Sequence, residues 1–446
     1  MSASPPLAID ILITNGIVLT VDDAAQVIPN GAVAVADSRI VAVGDTRDLQ
    51  AQYRPRETLD ASGMLVMPGL INTHTHSGDA LFRGLVEDLS LEDWLQKLWV
   101  VESRFLSPET VRWGARLAYI EMVRSGITTA VDMFWFPETL AEAARAVGIR
   151  LVTGMVYFDA STTDGIEFER RNALARDFTA QHKGDELIVP CIQPHSVYTV
   201  SPDHLRQAGA LAQELGVLFT THASETGTEV RNCIRDYGLT PIKHLDRLGL
   251  LTPHTLLAHC VHLEEDEFDL LAQRGTTVAH CPASNLKLAS GIAEVSKMQR
   301  AGVQVTLGTD GPVSGNDLNF WYTLRLAATL QKTVNRDPAL MPTSQIVHMA
   351  TRDAARALGL DGQIGSLEVG KLADVILLHI GRAHTTPAFD PYALLVYNLG
   401  REDVDTVLIH GRMVMRAGVV TRLDENEVLE AVHGLEQQLQ AFIQDE

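Results

Sequence analysis

Eight short runs rich in Val, Ile, Leu and Thr, separated by stretches with helical apolar spacing, restrict what this chain can fold into more than any other feature. The runs fall at 65–72, 127–133, 150–157, 187–193, 217–221, 255–258, 276–279 and 304–307. Intervening segments such as 138–147 and 203–215 carry apolar residues at helical intervals. Eight strands alternating with helices over about 240 residues is the count for an α/β fold of the (β/α)8 TIM-barrel type. Both flanks read differently. Near the N-terminus Asn15-Gly16 separates two β-rich runs, which predicts a hairpin. Near the C-terminus the runs at 373–378 and 404–415 are again strands with a Gly turn. The expected organisation is a small β-sandwich domain built from both chain ends (1–66 and 365–425), a barrel over 67–364, and a terminal helix over 426–446.

Within that barrel the informative feature is where His, Asp and Glu fall. His74 and His76 close the first strand, His195 the fourth, His222 the fifth, His259 the sixth, His280 the seventh and Asp310 the eighth. The C-terminal ends of barrel strands converge on one face, so these residues are expected to share a pocket. In His74-Thr75-His76 the strand period of two puts both imidazoles on one side. His222 lies in Phe-Thr-Thr-His-Ala-Ser-Glu at 219–225; alone it reads more simply as a core histidine. Asp310 precedes Gly311 and alone reads as a turn former. Together, three neutral imidazoles and one carboxylate suit Zn2+, with Fe2+ and Mn2+ as alternatives. The fourth strand ends in His195 rather than in a lysine whose carboxylated form could bridge two metals, so one metal per subunit is expected.

A metal-activated water needs a base, and a protonatable ring needs an acid. Glu225, three residues beyond His222, is placed to serve both steps. His259 is a candidate hydrogen-bond partner for the attacking oxygen; His280 sits in a similar setting with an equally plausible structural role. Cys260 and Cys281 follow these histidines and read as small core residues, since a strand points neighbours to opposite faces. Four scattered cysteines form no disulfide framework and point to a reducing compartment. The first twenty residues lack a basic start followed by an apolar stretch, and no run of 18 apolar residues follows, so a cytoplasmic protein without membrane association is expected. A net charge of −20 argues against nucleic acid as a partner.

These segments resemble the amidohydrolase superfamily, and within it the methylthioadenosine/S-adenosylhomocysteine deaminases and their triazine-hydrolase relatives. The resemblance runs from Asn15-Gly16 to His410-Gly411. It is carried by Pro-Gly-Leu-Ile-Asn-Thr-His-Thr-His at 68–76, Leu-Phe-Arg-Gly-Leu-Val-Glu-Asp-Leu at 81–89 with Trp94-Leu95, and Ala-His-Cys-Val-His-Leu at 258–263. Ala-His-Cys-Pro-Ala-Ser-Asn-Leu-Lys-Leu-Ala-Ser-Gly at 279–291, Gly-Thr-Asp-Gly at 308–311 and Gly-Ser-Leu-Glu-Val-Gly-Lys-Leu-Ala-Asp at 365–374 complete it. The resemblance implies a zinc held by His74, His76, His222 and Asp310, with Glu225 as proton shuttle and Asp310 accepting a proton. It also implies that Glu102 grips ribose hydroxyls, which a carboxylate can do with two hydrogen bonds. His195 would contact the purine, and the assembly would be a homo-oligomer, a dimer or tetramer.

Three departures bear on substrate. Ser-Gly-Asp-Ala at 77–80 stands where nucleoside deaminases more often have Ala-Pro-Met-Thr, and His-Ser-Val-Tyr-Thr at 195–199 where they have His-Ala-Pro-Tyr-Thr. The arginine that such enzymes offer from the loop after the third strand has no clean match, Arg170 and Arg171 being only nearby. The first expectation is therefore hydrolytic deamination of an adenosine-type nucleoside such as 5′-methylthioadenosine, S-adenosylhomocysteine or adenosine. The second is deamination or dechlorination of a free purine base, pterin or s-triazine in the same site. A catalytically inactive metal-binding protein is a third, disfavoured by the presence of ligands and proton shuttle together.

Overall fold

The computed structural model describes residues 6–160 and 163–444, and in it the alternation resolves into a barrel of parallel strands. In order around the barrel they are Leu70–Thr75, Ile127–Asp132, Arg150–Thr153, Ile188–Pro194, Leu218–Ala223, Thr255–His259, Thr277–His280 and Gln304–Leu307. The first and eighth meet where Thr73 Oγ1 donates to the Leu307 carbonyl at 2.9 Å and the Asp310 amide donates to the His74 carbonyl at 3.0 Å. Strands covered on both faces should read as near-continuous apolar runs, and these are buried almost throughout. Helices follow the expected spacing: Pro137–Val147 and Pro202–Leu215 each start on a proline, and the second buries Leu205, Ala208, Leu211 and Ala212.

Two runs expected to be single strands are divided. The run 65–72 breaks at Pro68-Gly69: Met64–Pro68 pairs antiparallel with Val375–His379 in the other sheet, and only Leu70–Thr75 belongs to the barrel. Gly69 sits so close to the second barrel strand that a Cβ would lie 2.2 Å from the Thr128 side chain, which leaves no room for another residue. The run 150–157 likewise divides into Arg150–Thr153 and Val156–Tyr157.

Both chain ends build the second sheet. Its order is Val419–Val420, Arg412–Arg416, Val404–Ile409, Val375–His379, Met64–Pro68, Leu7–Leu19, Val27–Ala36 and Arg39–Asp45, with Tyr53–Asp60 also paired to Leu7–Leu19. His410 and Gly411, at φ of 52° and 68°, make the tight turn between two antiparallel strands that right-handed strand twist favours. Asn15-Gly16 does not. The expected hairpin there is an irregularity within one long strand, Asn15 at φ 63°, where Leu7–Leu19 changes parallel partners from Tyr53–Asp60 to Met64–Pro68. A Gly-containing pair is equally good at a bulge, and tertiary pairing selects which form occurs.

The two sheets are tied by a buried ion pair between Arg150 on the third barrel strand and Asp374, whose Oδ1 also accepts from the His410 amide at 2.8 Å. The terminal helix runs Glu425–Gln444 and reaches helix Pro108–Arg124 through an Arg124–Glu425 ion pair of 2.7 Å. Residues 445 and 446 of the expected helix lie outside the described residues. Among the described residues no helix is long and apolar enough to cross a membrane.

Candidate active site

The C-terminal ends of the barrel strands bring four sequence-distant side chains together. His74 Nε2 lies 3.5 Å and His76 Nε2 3.2 Å from Asp310 Oδ1, and His222 Nε2 lies 3.3 Å from His76 Nε2. All four residues are buried or nearly so. Asp310 is held at φ 64° with Oδ1 accepting from the Gly311 amide at 2.8 Å and Oδ2 from Ser284 Oγ at 2.6 Å. Strained backbone of this kind persists where the surroundings over-determine it, as these anchors do.

The donor set fits a divalent cation. His76 Nδ1 faces the Met133 carbonyl at 2.7 Å, and His222 Nδ1 faces the His195 carbonyl at 2.6 Å. A carbonyl can only accept, so each Nδ1 carries a proton and each Nε2 is the atom turned inward, where a metal would bind. In the buried His74 ring Nδ1 has no hydrogen-bond partner and Nε2 has only the long Asp310 contact, a cost that a ligand would remove. Burial pushes His74 down to about 4 and His222 well below the ordinary imidazole value, so both are neutral at pH 7. His76 is the exception: burial lowers it, but the Asp310 carboxylate outweighs that and raises it to about 9. Burial would raise Asp310 in turn, yet the hydrogen bonds from His74 and His76 hold it well below the usual carboxylate range. A divalent ion would take over the charge compensation that His76 provides.

Beside this cluster sit the candidate proton carriers. Glu225 is buried, its carboxyl pushed up by that burial, with Oε2 3.7 Å from His259 Nε2 and Oε1 3.4 Å from Ser290 Oγ. His259 Nδ1 lies 2.9 Å from Asn285 Oδ1, which sets the proton on Nδ1 and leaves Nε2 facing Glu225. The backbone carrying Glu225 is itself fixed: Glu229 accepts from the Ser224 amide at 2.9 Å and the Glu225 amide at 2.6 Å. Glu229, Ser284 and Asn285 were not singled out in the sequence. Within the 279–291 motif, Ser284 contacts Asp310 and Asn285 contacts His259. His280 stands apart, buried, lowered to about 3 by that burial and without hydrogen-bond partners. All four cysteines are buried free thiols, Cys260 and Cys281 in the core as expected.

Above the cluster opens a cleft walled by Trp99, Phe134, Trp135, Phe158 and Tyr198. His195 joins that wall, its ring 4.5 Å from Phe158 and its Nδ1 3.1 Å from Thr199 Oγ1. Burial holds it neutral, down to about 3. Flat apolar walls with a few fixed polar groups suit a planar heterocycle. Helix Leu91–Phe105 closes one side, burying Leu91, Trp94, Leu98 and Glu102 on one stripe. Glu102 thus occupies a core-facing position, where Trp135 Nε1 donates to its Oε2 at 3.2 Å; burial raises the carboxyl to about 7. Asp79, from the short helical turn Ser77–Phe82, lines the same cleft beside it. Neither nearby arginine reaches the cleft: Arg170 is exposed, and Arg171 is fully buried in a fork with Asp164, behind Trp135.

A barrel carrying a histidine and aspartate cluster at its strand ends, with a second sheet from both termini, defines a metal-site hydrolase architecture. The sequence matches the amidohydrolase family over residues 65–414, and a short stretch, 31–54, matches the bacterial imidazolonepropionase-like composite domain. The chain belongs to the amidohydrolase family. It is 42% identical to a 5-methylthioadenosine/S-adenosylhomocysteine deaminase of Syntrophobacter fumaroxidans over 95% of this chain and 97% of that one. A 5′-deoxyadenosine deaminase of Methanothermobacter thermautotrophicus is 39% identical, over 90% and 93% respectively. The crystal structure of an adenosine deaminase from Xanthomonas campestris with bound zinc superposes with a TM-score of 0.96 at 35% identity, covering 98% of this chain and 100% of that one.

Proposed function

We propose that this protein is a zinc-dependent hydrolytic deaminase of aminated purine nucleosides such as 5′-methylthioadenosine, S-adenosylhomocysteine or adenosine, releasing ammonia. One observation carries the reading: the imidazole and carboxylate cluster lies beneath an aromatic-walled cleft that also holds the buried carboxyl of Glu102. The activities for which the relatives are named support it.

His74, His76, His222 and Asp310 would hold one zinc per subunit, with Fe2+ and Mn2+ as alternatives. The metal supplies a water acidified to near-neutral pKa at the foot of the cleft. Replacing an exocyclic amine by oxygen requires two protons to leave that water, one reaching the ring nitrogen and one the departing amine. Glu225 takes the first and delivers it to the ring; its raised affinity for protons suits a group that must both accept and donate. Asp310 takes the second. His259, oriented by Asn285, offers Nε2 to the attacking oxygen. The aromatic walls and His195 stack on and contact the purine, and Glu102 accepts from the ribose hydroxyls. Four buried free thiols support a reducing, cytoplasmic setting, and we assign a homo-oligomer, dimer or tetramer, which light scattering checks.

Incubating the zinc-loaded protein with a panel of aminated nucleosides, free bases, pterins and triazines while measuring ammonia tests the reading. Fastest turnover is expected on an adenosine-type nucleoside. Turnover confined to free bases or pterins, or chloride release from halogenated triazines in place of ammonia, would replace it with the alternative substrates.

A further inference from the structure

Asp79 is a carboxyl with a fixed place and one unpartnered oxygen. It is 4% exposed and lines the cleft, yet its Oδ1 has no hydrogen-bond partner. The turn that carries it is anchored: the Asp79 amide donates to the His76 carbonyl at 3.2 Å, and Ser77 is bound through both its amide and its hydroxyl to Asp132, which Tyr119 also grips at 2.6 Å. The carboxyl therefore has little freedom to turn away. Glu102 lies within hydrogen-bonding reach, and burial first, then Glu102, raise Asp79 well above the carboxylate range. A buried acceptor left unpaired beside a second carboxyl is costly unless a ligand brings donors to it.

We propose that Asp79 and Glu102 form a two-carboxyl clamp for a vicinal diol, in which Asp79 Oδ1 accepts a hydrogen bond from one ribose hydroxyl while Glu102 accepts from the other. The proposal rests on the nucleoside reading above and adds to it a specificity-determining residue in the Ser-Gly-Asp-Ala segment. Trp135 already donates to Glu102 Oε2, so Glu102 alone has fewer open lone pairs for two hydroxyls, and a second acceptor completes the match to a diol's two donors. Neither carboxyl of the clamp carries a proton in the proposed reaction, so its loss should act mainly through KM.

The test is kcat/KM for adenosine, 2′-deoxyadenosine and 3′-deoxyadenosine with the zinc-loaded wild type, Asp79→Ala and Asp79→Asn, with thermal melts confirming that each variant is folded. Asp79→Ala is expected to lower kcat/KM on adenosine about 10- to 100-fold, the range that leaving a buried hydroxyl without its hydrogen-bond partner commonly costs. On the one deoxy analogue that lacks the hydroxyl held by Asp79, the same variant should stay within about threefold of wild type, because the contact is already absent. Asp79→Asn, which retains an acceptor oxygen and the side-chain shape, should lose less than Asp79→Ala on adenosine and carries the comparison if the alanine variant does not fold. An equal loss on all three nucleosides would overturn the clamp while leaving nucleoside deamination intact. Wild-type turnover of free bases with none of any nucleoside would overturn both.

Discussion

Replacing Glu102 by glutamine should make the protein more stable and a worse nucleoside deaminase at the same time. Its carboxyl rises from 4.5 to about 7, burial being the largest cause. At 1.36 kcal/mol per tenfold change in proton affinity, that rise means ionised Glu102 weakens the fold by about 3 kcal/mol at pH 8. The sign follows from proton counts. Between pH 4.5 and 7 the unfolded chain has released this proton and the folded chain still holds it, so stability falls as pH rises through that window. Glutamine removes the penalty, and its amide oxygen can still accept from Trp135 while its NH2 faces Asp79. For a chain of 446 residues the unfolding entropy makes 3 kcal/mol worth about 3 °C in Tm. Melts of Glu102→Gln should therefore lie about 3 °C above wild type at pH 8, shrinking to under about 1 °C at pH 5. In parallel, kcat/KM on adenosine should fall about 100-fold, with any ring that lacks ribose losing less than about threefold. A drop in Tm at pH 8 together with uniform loss on every substrate would refute the reasoning, because it would mean that Glu102 is a packing residue.

Glu225→Gln keeps shape but cannot carry a proton; steady-state kinetics should show kcat lowered by about 100- to 10,000-fold with zinc content unchanged. Asn285→Ala frees the His259 ring, and kcat should fall about 10- to 100-fold, an effect of the size seen when outer partners of site histidines are removed, again without metal loss. Arg150→Met strands the buried Asp374 carboxylate between the two sheets, so calorimetry should record a Tm lower by about 3–5 °C, from a cost of about 3–5 kcal/mol.

What was legible in the sequence is what local pattern encodes. Short apolar runs at strand length, six of the eight followed by a His or Asp, carry both the barrel and the convergence of His74, His76, His222 and Asp310, since parallel strands of a closed sheet share one exit face. Other features needed tertiary pairing. Pro68-Gly69 looks like the interior of one apolar run, and only the close approach of Thr128 shows why the chain changes sheets there. Asn15-Gly16 satisfies the chemistry of a hairpin and of a bulge alike. Glu102 had a readable signal, its place in the series 91, 94, 98, 102 on the buried face of a helix. Asn285 and Glu229 act on atoms distant in type and kind, a ring nitrogen and two backbone amides, and nothing in residue spacing announces such contacts. Asp79 was visible only as a departure from a resembled motif; its unpaired oxygen is a property of the folded cleft.

The central claim is that a lone divalent ion is held among His74, His76, His222 and Asp310, and its most direct test is metal content per subunit by elemental analysis. The account predicts about one zinc in the wild type and less than about a tenth of that in His74→Ala, which removes one of the four ligands. Two metals per subunit in the wild type, or a full complement in His74→Ala, would contradict it.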